Sequence, residues 1–289
     1  MNKTIGVPQP DSDVVNKQPR VLLIGYGWVG QYCGKYFTEA DIVTGDGFVK
    51  KTMDHYDLGI IGVPTPMNSY TGACDVSIVD EVVSKYRELC DYFLIKSTVE
   101  IGTTETLSKK YGVDIAMSPE YVGETLGHPL LEARKDAFQI IGADNLHTQN
   151  AIASFWRKVL HANAPIYLVS SREAEIIKYC ENYWIMQRVA YWNDVYSICN
   201  KFDVSFDKVR EGLVLDPRMS RTHSNVYPEN LGWSGKCLPK DMNALAYKMR
   251  LEGRPLENLE NMIKYNAEVR KHYKNSVKLI PDLPLWSKK

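Results

Sequence analysis

The residues best suited to chemistry gather around one cysteine. In Gly232-Trp233-Ser234-Gly235-Lys236-Cys237-Leu238-Pro239-Lys240-Asp241 a glycine-punctuated turn runs into Cys237, and Pro239 marks the start of a helix that continues through Tyr247. The thiol therefore stands just outside a helix N-terminus, where unpaired backbone N–H groups favour an anion, with Lys236 and Lys240 beside it. Both effects lower a thiol's pKa and supply a thiolate nucleophile. Asp241, in the first helical turn, reaches the same pocket. A cysteine at a helix start can equally be a small buried apolar residue, so the rest of the chain has to decide. Lys178 and Asn182, spaced i and i+4, share a helix face and can bring a cation and an amide to a developing oxyanion; a snorkelling lysine beside a surface amide is the ordinary alternative. Glu120 and Glu124 follow a strand end and can converge on one site if their segment curls helically, which suits acid/base work in a hydrolysis.

Two kinds of element must position these groups. Val21-Leu22-Leu23-Ile24 reads as a buried strand, followed at once by Gly25-Tyr26-Gly27-Trp28-Val29-Gly30 and a helix to about Phe37. Between a strand and a helix, G-x-G-x-x-G is a dinucleotide fingerprint: the first glycine makes the turn, the second admits a pyrophosphate, and the third lets helix pack on strand. The next strand runs from Asp41 to Asp46. Asp46 lies about twenty residues past the fingerprint, where an acid binds the adenosine ribose and favours NAD over NADP; a solvated acid in a Gly-Asp-Gly turn is the alternative. Beyond it there is room for at most a short helix before the strand Leu58 to Val63, which ends at Pro64-Thr65-Pro66. A helix over Val76 to Cys90, capped by Asp75 or Ser77, precedes the strand Tyr92 to Ile95. That strand delivers Lys96-Ser97-Thr98-Val99. A helix from Thr103 to about Tyr111 and strands at Val113 to Met117, Ala137 to Gly142 and Pro165 to Val169, with a helix around Gln149 to Val159, continue the alternation. This order predicts a mostly parallel sheet covered on both faces.

From Ser170 the rhythm changes. Ser171 can cap a long helix from Glu173 to about Asn200, whose apolar residues cover much of its circumference, so it links domains and packs against a second subunit. A helix follows over Phe206 to Leu213, and beyond Asp241 the pattern is helical to about Tyr273. The expected organisation is a mobile leader over residues 1–19, a Rossmann dinucleotide-binding domain over 20–169, and an all-helical substrate and dimerisation domain over 170–289.

Taken together, these stretches resemble the UDP-glucose/GDP-mannose dehydrogenase family. The likeness rests on Cys237-Leu238-Pro239-Lys240-Asp241, Val63-Pro64-Thr65-Pro66, Lys96-Ser97-Thr98-Val99, Ser118-Pro119-Glu120-Tyr121 with Glu124, Glu175 with Lys178 and Asn182, Asn193-Asp194, and Asp216-Pro217-Arg218-Met219. It implies an NAD-dependent, four-electron oxidation of a sugar primary alcohol to a carboxylate through a cysteine thiohemiacetal and thioester. Cys237, Lys178, Asn182, Asp241, Thr98, Glu120 and Glu124 are the implied catalytic set. NAD contacts are implied for Gly25, Gly27, Trp28, Val29, Gly30, Asp46, Val63, Pro64, Thr65, Ser97 and Thr98. Substrate contacts are implied for Glu120, Tyr121, Val122, Lys178, Arg218, Tyr227 and Gly232. Two departures stand out. Ser234 replaces a glycine of the family's run, and the excursion after Asp46 is short. The resemblance fades near Arg270, so the further α/β domain by which members grip the nucleotide is not expected here.

Composition narrows the alternatives. The 289-residue chain carries a formal charge of zero, so nothing points to nucleic acid or an anionic membrane surface as a partner, and the small-molecule substrate is what the resemblance implies. Its apolar runs are too short to span a bilayer, and the N-terminus lacks a signal-peptide pattern. Six cysteines without a Cys-x-x-Cys pair argue against disulfides or zinc and fit a reducing cytoplasm, and the long apolar helix implies a homodimer. Two rival readings remain: a two-electron hydroxy-acid or 6-phosphogluconate-like dehydrogenase, which has no use for Cys237, and a non-catalytic NAD-binding dimer.

Overall fold

A computed structural model describes residues 18–121 and 137–271. Within it the chain divides into two compact units, the first holding most of the residues up to Glu175 and the second Thr65–Val76, Val99–Ile101 and the chain from Ile176 onward.

The first unit is built on eight strands: β1 (Val21–Ile24), β2 (Asp41–Thr44), β3 (Gly47–Lys50), β4 (Tyr56–Ile61), β5 (Cys90–Ile95), β6 (Asp114–Met117), β7 (Gln139–Gly142) and β8 (Ile166–Val169). They lie in the order β3-β2-β1-β4-β5-β6-β7-β8. Strands β2, β1, β4, β5 and β6 are parallel, while β3 and the β7–β8 pair run antiparallel to their neighbours. Helices α1 (Trp28–Gly34), α2 (Ser77–Tyr86), α3 (Thr103–Tyr111) and α4 (Leu146–Arg157) connect them. Strand β1 is buried along its whole length because both sheet faces are covered. Under one face, Trp156 packs edge-on against Tyr36 and Phe37, with ring centroids 5.4 and 5.2 Å apart.

Three expectations need correction here. The segment after Asp46 is not a short helix but β3, paired antiparallel with β2 across the Gly45-Asp46-Gly47 turn. Buried Asp41 then closes the connection: although burial opposes its charge, hydrogen bonds from Thr52 N and Oγ1, Met53 N and Tyr56 Oη outweigh that and hold its pKa below the usual range. The first turn of α3 is capped from far away, because Glu175 accepts hydrogen bonds from Gly102 N (2.5 Å), Thr104 N (2.9 Å) and Thr104 Oγ1 (2.7 Å). The long helix α5 (Ser171–Lys201, 31 residues) starts with a reciprocal bond between Ser170 and Glu173, not with a cap at Ser171, whose hydroxyl bonds Asp144. Finally, the run after Asp241 is two helices, α7 (Leu238–Leu251) and α8 (Glu257–Arg270), separated where Gly253 takes φ +69 and Pro255 follows.

The second unit packs α5, α6 (Phe206–Leu213), α7 and α8. Its main core joins Tyr179 and Met186 of α5 to Trp233, Met242, Leu245 and Leu259. A smaller cluster sets Trp192, Val195 and Cys199 of α5 against Phe206 and Val209 of α6.

Candidate active site

In the first unit the glycine turn occupies the carboxyl end of β1, where the chain's strand order reverses. Gly25 N–H bonds Val43 O on β2 and Gly62 N–H bonds Ile24 O, so the turn is bracketed by both neighbours of β1. This is the crevice in which open α/β sheets bind nucleotides. The three glycines differ in what they permit. Gly25 has φ +88, and a Cβ there would lie 2.5 Å from Gly62 O; a Cβ on Gly30 would lie 2.1 Å from Gly25 O. A Cβ on Gly27 meets no atom within 4 Å. Two glycines thus serve the fold, and the third leaves open space where a pyrophosphate can meet backbone N–H groups at the start of α1.

The other expected cofactor residues surround that turn or lie farther along the chain. Trp28 is exposed at the first residue of α1 and Val29 packs against the core. Asp46 is exposed in the hairpin turn after β2. Ser97 Oγ donates to Val63 O at 2.7 Å, tying the ends of β4 and β5 together, and half-buried Thr98 follows it. Pro64 is exposed, whereas Thr65 is buried within the second unit. Glu120 emerges just past β6, with Lys96 Nζ 3.6 Å from its Oε2 and Tyr121 N donating to its Oε1 at 2.8 Å. The Tyr121 ring lies tilted against Phe138, with centroids 5.0 Å apart. Val122 and Glu124 lie outside the described residues. Sequence reasoning gave Lys96 no role, yet it is 3% exposed, bonds Ser118 Oγ and sits 5.5 Å from the Trp156 ring. Its signal is a lysine closing an apolar strand.

In the second unit Cys237 is the N-cap of α7 and is exposed, with Pro239 in the first helical turn. Cys237 thus stands at the start of a helix, where the sequence places it. Ser234 does not disturb it: among described non-glycine residues only Asp203 and His223 have positive φ, so this position needs no glycine. Behind the cysteine, Asp241 is 1% exposed, and its carboxylate accepts from Asn182 Nδ2 at 2.6 Å and pairs with Lys240 Nζ at 2.5 Å. Lys240 reaches on to Thr65 Oγ1 at 3.4 Å. Nearby Cys74 is pushed up in pKa by burial, with Lys240 pulling the other way. Lys178 lies one turn before Asn182, its Nζ 3.5 Å from Glu181 Oε2. The structure thus joins Asn182 directly to Asp241, committing one amide hydrogen to the carboxylate.

Gly232, with φ +82, belongs to the same turn, its N–H bonded to Asn193 Oδ1 at 3.0 Å. Arg218 and Tyr227 are exposed, and Arg218 forms an ion pair with Asp216 at 2.6 Å that raises the guanidinium pKa. Missed from the sequence were Asn266 and Arg270, whose side chains hold the backbone of the turn.

Residues 42–160 match the NAD binding domain of the UDP-glucose/GDP-mannose dehydrogenase family, and residues 172–268 match its central domain. The chain belongs to this family. NAD is accordingly its cofactor, and because the matched stretch begins at residue 42, the glycine turn stands on its own geometry. The UDP-glucose 6-dehydrogenase TuaD of Bacillus subtilis is 30% identical over 227 residues, 75% of this chain and 47% of that protein. The UDP-glucose 6-dehydrogenase of Campylobacter jejuni is 27% identical over 200 residues, 68% of this chain and 50% of that one. The chain thus spans about half the length of the curated relatives it matches. Among solved structures, a UDP-glucose dehydrogenase from Pyrobaculum islandicum matches with a TM-score of 0.72 at 21% identity, covering 91% of this chain and 70% of that one. A 3-hydroxyisobutyrate dehydrogenase from Mycobacterium tuberculosis matches with a TM-score of 0.68 at 11% identity, covering 90% and 96%. These two likenesses are of fold. Among the described residues no helix is long and apolar enough to cross a membrane.

Proposed function

We propose that the chain oxidises the primary alcohol of a sugar nucleotide of the UDP-glucose type to a carboxylate. The observation carrying this reading is the buried Asn182–Asp241 contact directly behind an exposed cysteine at a helix N-terminus. A two-electron alcohol dehydrogenase has no task for such a cysteine.

When bound, NAD supplies the hydride-accepting chemistry for both two-electron oxidations. The chain's own residues do the rest. By the family resemblance, Asp241 and Thr98 are assigned to the water that takes the alcohol proton, and Lys178 and Asn182 to the alkoxide. The Cys237 thiolate adds to the aldehyde carbon, giving a thiohemiacetal whose carbon can be oxidised again, to a thioester. Glu120 and Glu124 activate the water that cleaves the thioester and returns the thiolate.

The same reading makes the protein a homodimer in the cytoplasm. Trp184, Tyr191 and Ile198 recur every seventh residue along α5 and are 59%, 43% and 57% exposed. An apolar stripe of that kind on a long helix fits a second copy of the helix across a two-fold axis.

The test is to count NADH formed per substrate across sugar nucleotides, sugar phosphates and free sugars, with and without Cys237→Ala. The unmodified chain should give two NADH per sugar nucleotide, and the variant should stall at or before the aldehyde. Acid formation by the variant at an undiminished rate would make Cys237 structural and refute the four-electron scheme.

A further inference from the structure

The turn that ends at Cys237 is held from behind by buried polar side chains instead of by backbone partners. Asn193 Oδ1 accepts Gly232 N–H at 3.0 Å. Asn266 brackets the next residue, its Oδ1 accepting Trp233 N–H at 2.8 Å and its Nδ2 donating to Trp233 O at 3.0 Å. Arg270 Nη1 donates to Leu231 O at 2.9 Å. Asn193, Asn266 and Arg270 are 5%, 3% and 1% exposed, and they come from α5 and α8, far along the chain from the turn. The fit leaves no slack: a Cβ on Gly232 would lie 2.5 Å from Asn266 Oδ1.

What this anchoring controls is the stretch just beyond it. Trp233 is buried in the helical core, whereas Gly235, Lys236 and Cys237 are exposed, and the chain is buried again only at Pro239 in the first turn of α7. Cys237 therefore takes its place from two fixed points, the backbone of Trp233 and the start of α7. Truncating Asn266 would leave both the N–H and the C=O of Trp233 buried and unpaired. A buried polar group without a partner costs about 1–3 kcal/mol, and shifting the turn toward water relieves that cost.

We propose that Asn266 is a positioning residue for Cys237: by holding both backbone polar groups of Trp233 it keeps the thiol over the N-terminus of α7. The inference rests on the reading of Cys237 as the nucleophile, and its test is independent of turnover. Iodoacetamide alkylation of Cys237, followed by peptide mass spectrometry to separate it from exposed Cys180, is measured from about pH 6 to 10. The unmodified chain, Asn266→Ala and Leu259→Ala are compared, with melting curves for each. Leu259 is buried in the same helix and core, so its truncation loosens packing while leaving the turn's hydrogen bonds from Asn193, Asn266 and Arg270 in place.

In the unmodified chain the alkylation midpoint should lie below the ordinary value of about 8.5, and Asn266→Ala should move it up toward that value, slowing alkylation near neutral pH roughly fivefold or more. Leu259→Ala should lower the melting temperature and leave the midpoint in place. An unchanged midpoint in Asn266→Ala, or an equal shift in Leu259→Ala, overturns the positioning role. A lowered midpoint that Asn266→Ala raises, in a chain with no turnover of any sugar nucleotide, upholds the positioning role while refuting the proposed function. If Asn266→Ala does not fold, hydrogen exchange of the unmodified chain decides. The Trp233 amide should exchange as slowly as the core amides of α7, and exchange as fast as that of Gly235 and Lys236 overturns the proposal.

Discussion

Alanine at each of the three glycines of the β1–α1 turn separates their roles. At Gly25, alanine must adopt φ +88 with its Cβ 2.5 Å from Gly62 O. The left-handed conformation costs about 1–2 kcal/mol, and forcing the contact apart costs roughly another 1–3 kcal/mol. For a chain of this size each kcal/mol lowers the melting temperature by about 2–4 °C, so the expected fall is roughly 4–20 °C. Gly30→Ala carries a tighter clash, 2.1 Å to Gly25 O, and should destabilise by a similar amount. Gly27→Ala has no clash and φ −73, an ordinary value for alanine. It gains roughly 0.4–1 kcal/mol by restricting the unfolded chain and loses about as much as a poorer N-cap. Its melting temperature should therefore stay near that of the unmodified chain. Yet its methyl group fills the space left for the pyrophosphate, so NAD affinity measured by calorimetry should fall about tenfold or more, which is ~1.4 kcal/mol. Gly27→Ala with unaltered NAD affinity, or Gly25→Ala with an unaltered melting temperature, would refute the division of roles.

Other measurements follow from the same geometry. Burial raises the Glu175 pKa above its ordinary 4.5 despite three hydrogen bonds that oppose the shift. The unfolded chain therefore gives up this proton first, and stability should fall as pH rises from about 4.5 toward the folded-state value. Melting temperatures of the unmodified chain relative to Glu175→Gln should decline over that interval; a flat difference would contradict it. Asp46→Ala should narrow the preference for NAD over NADP in paired calorimetric titrations, and equal affinity for both cofactors in the unmodified chain would defeat the role given to Asp46. Light scattering at micromolar concentration should show a dimer that Trp184→Glu weakens, and a monomer in the unmodified chain would remove the stripe on α5 from consideration.

The strand and glycine turn at the front of the sheet were legible because an apolar run, three glycines and an amphipathic helix all point to one geometry. The β2–β3 hairpin was legible too, and was missed: Asp46-Gly47 between two apolar stretches is a strong hairpin signal. Ser170-x-x-Glu173 spells a capping box, and Gly253 with Pro255 spells a helix break, so both errors there came from weighing periodicity above punctuation. The anchors of the cysteine turn are a different matter. Asn266 meets Trp233 across 33 positions and Arg270 meets Leu231 across 39. On a helix such residues read as solvated polar positions until the turn they hold is placed against them. The same holds for Glu175, whose partners belong to a helix about 70 residues earlier.

Among the described residues β3 and β8 are the outer strands of the sheet, and both present apolar side chains to solvent: Phe48 and Val49 on one, Tyr167 and Leu168 on the other. Each margin is a row of backbone groups to which a strand from another molecule can add. Each strand is only 4 residues long, and the register of β3 is interrupted by an irregularity against Ile42 and Val43. Lys50 closes β3 while Lys51 lies 5.6 Å from the Phe48 ring, and Arg157 bonds Ala164 O just before β8. Removing these cations would open the rim to strand addition, so such changes are expected to promote association at high concentration in a chain whose core and active site are intact.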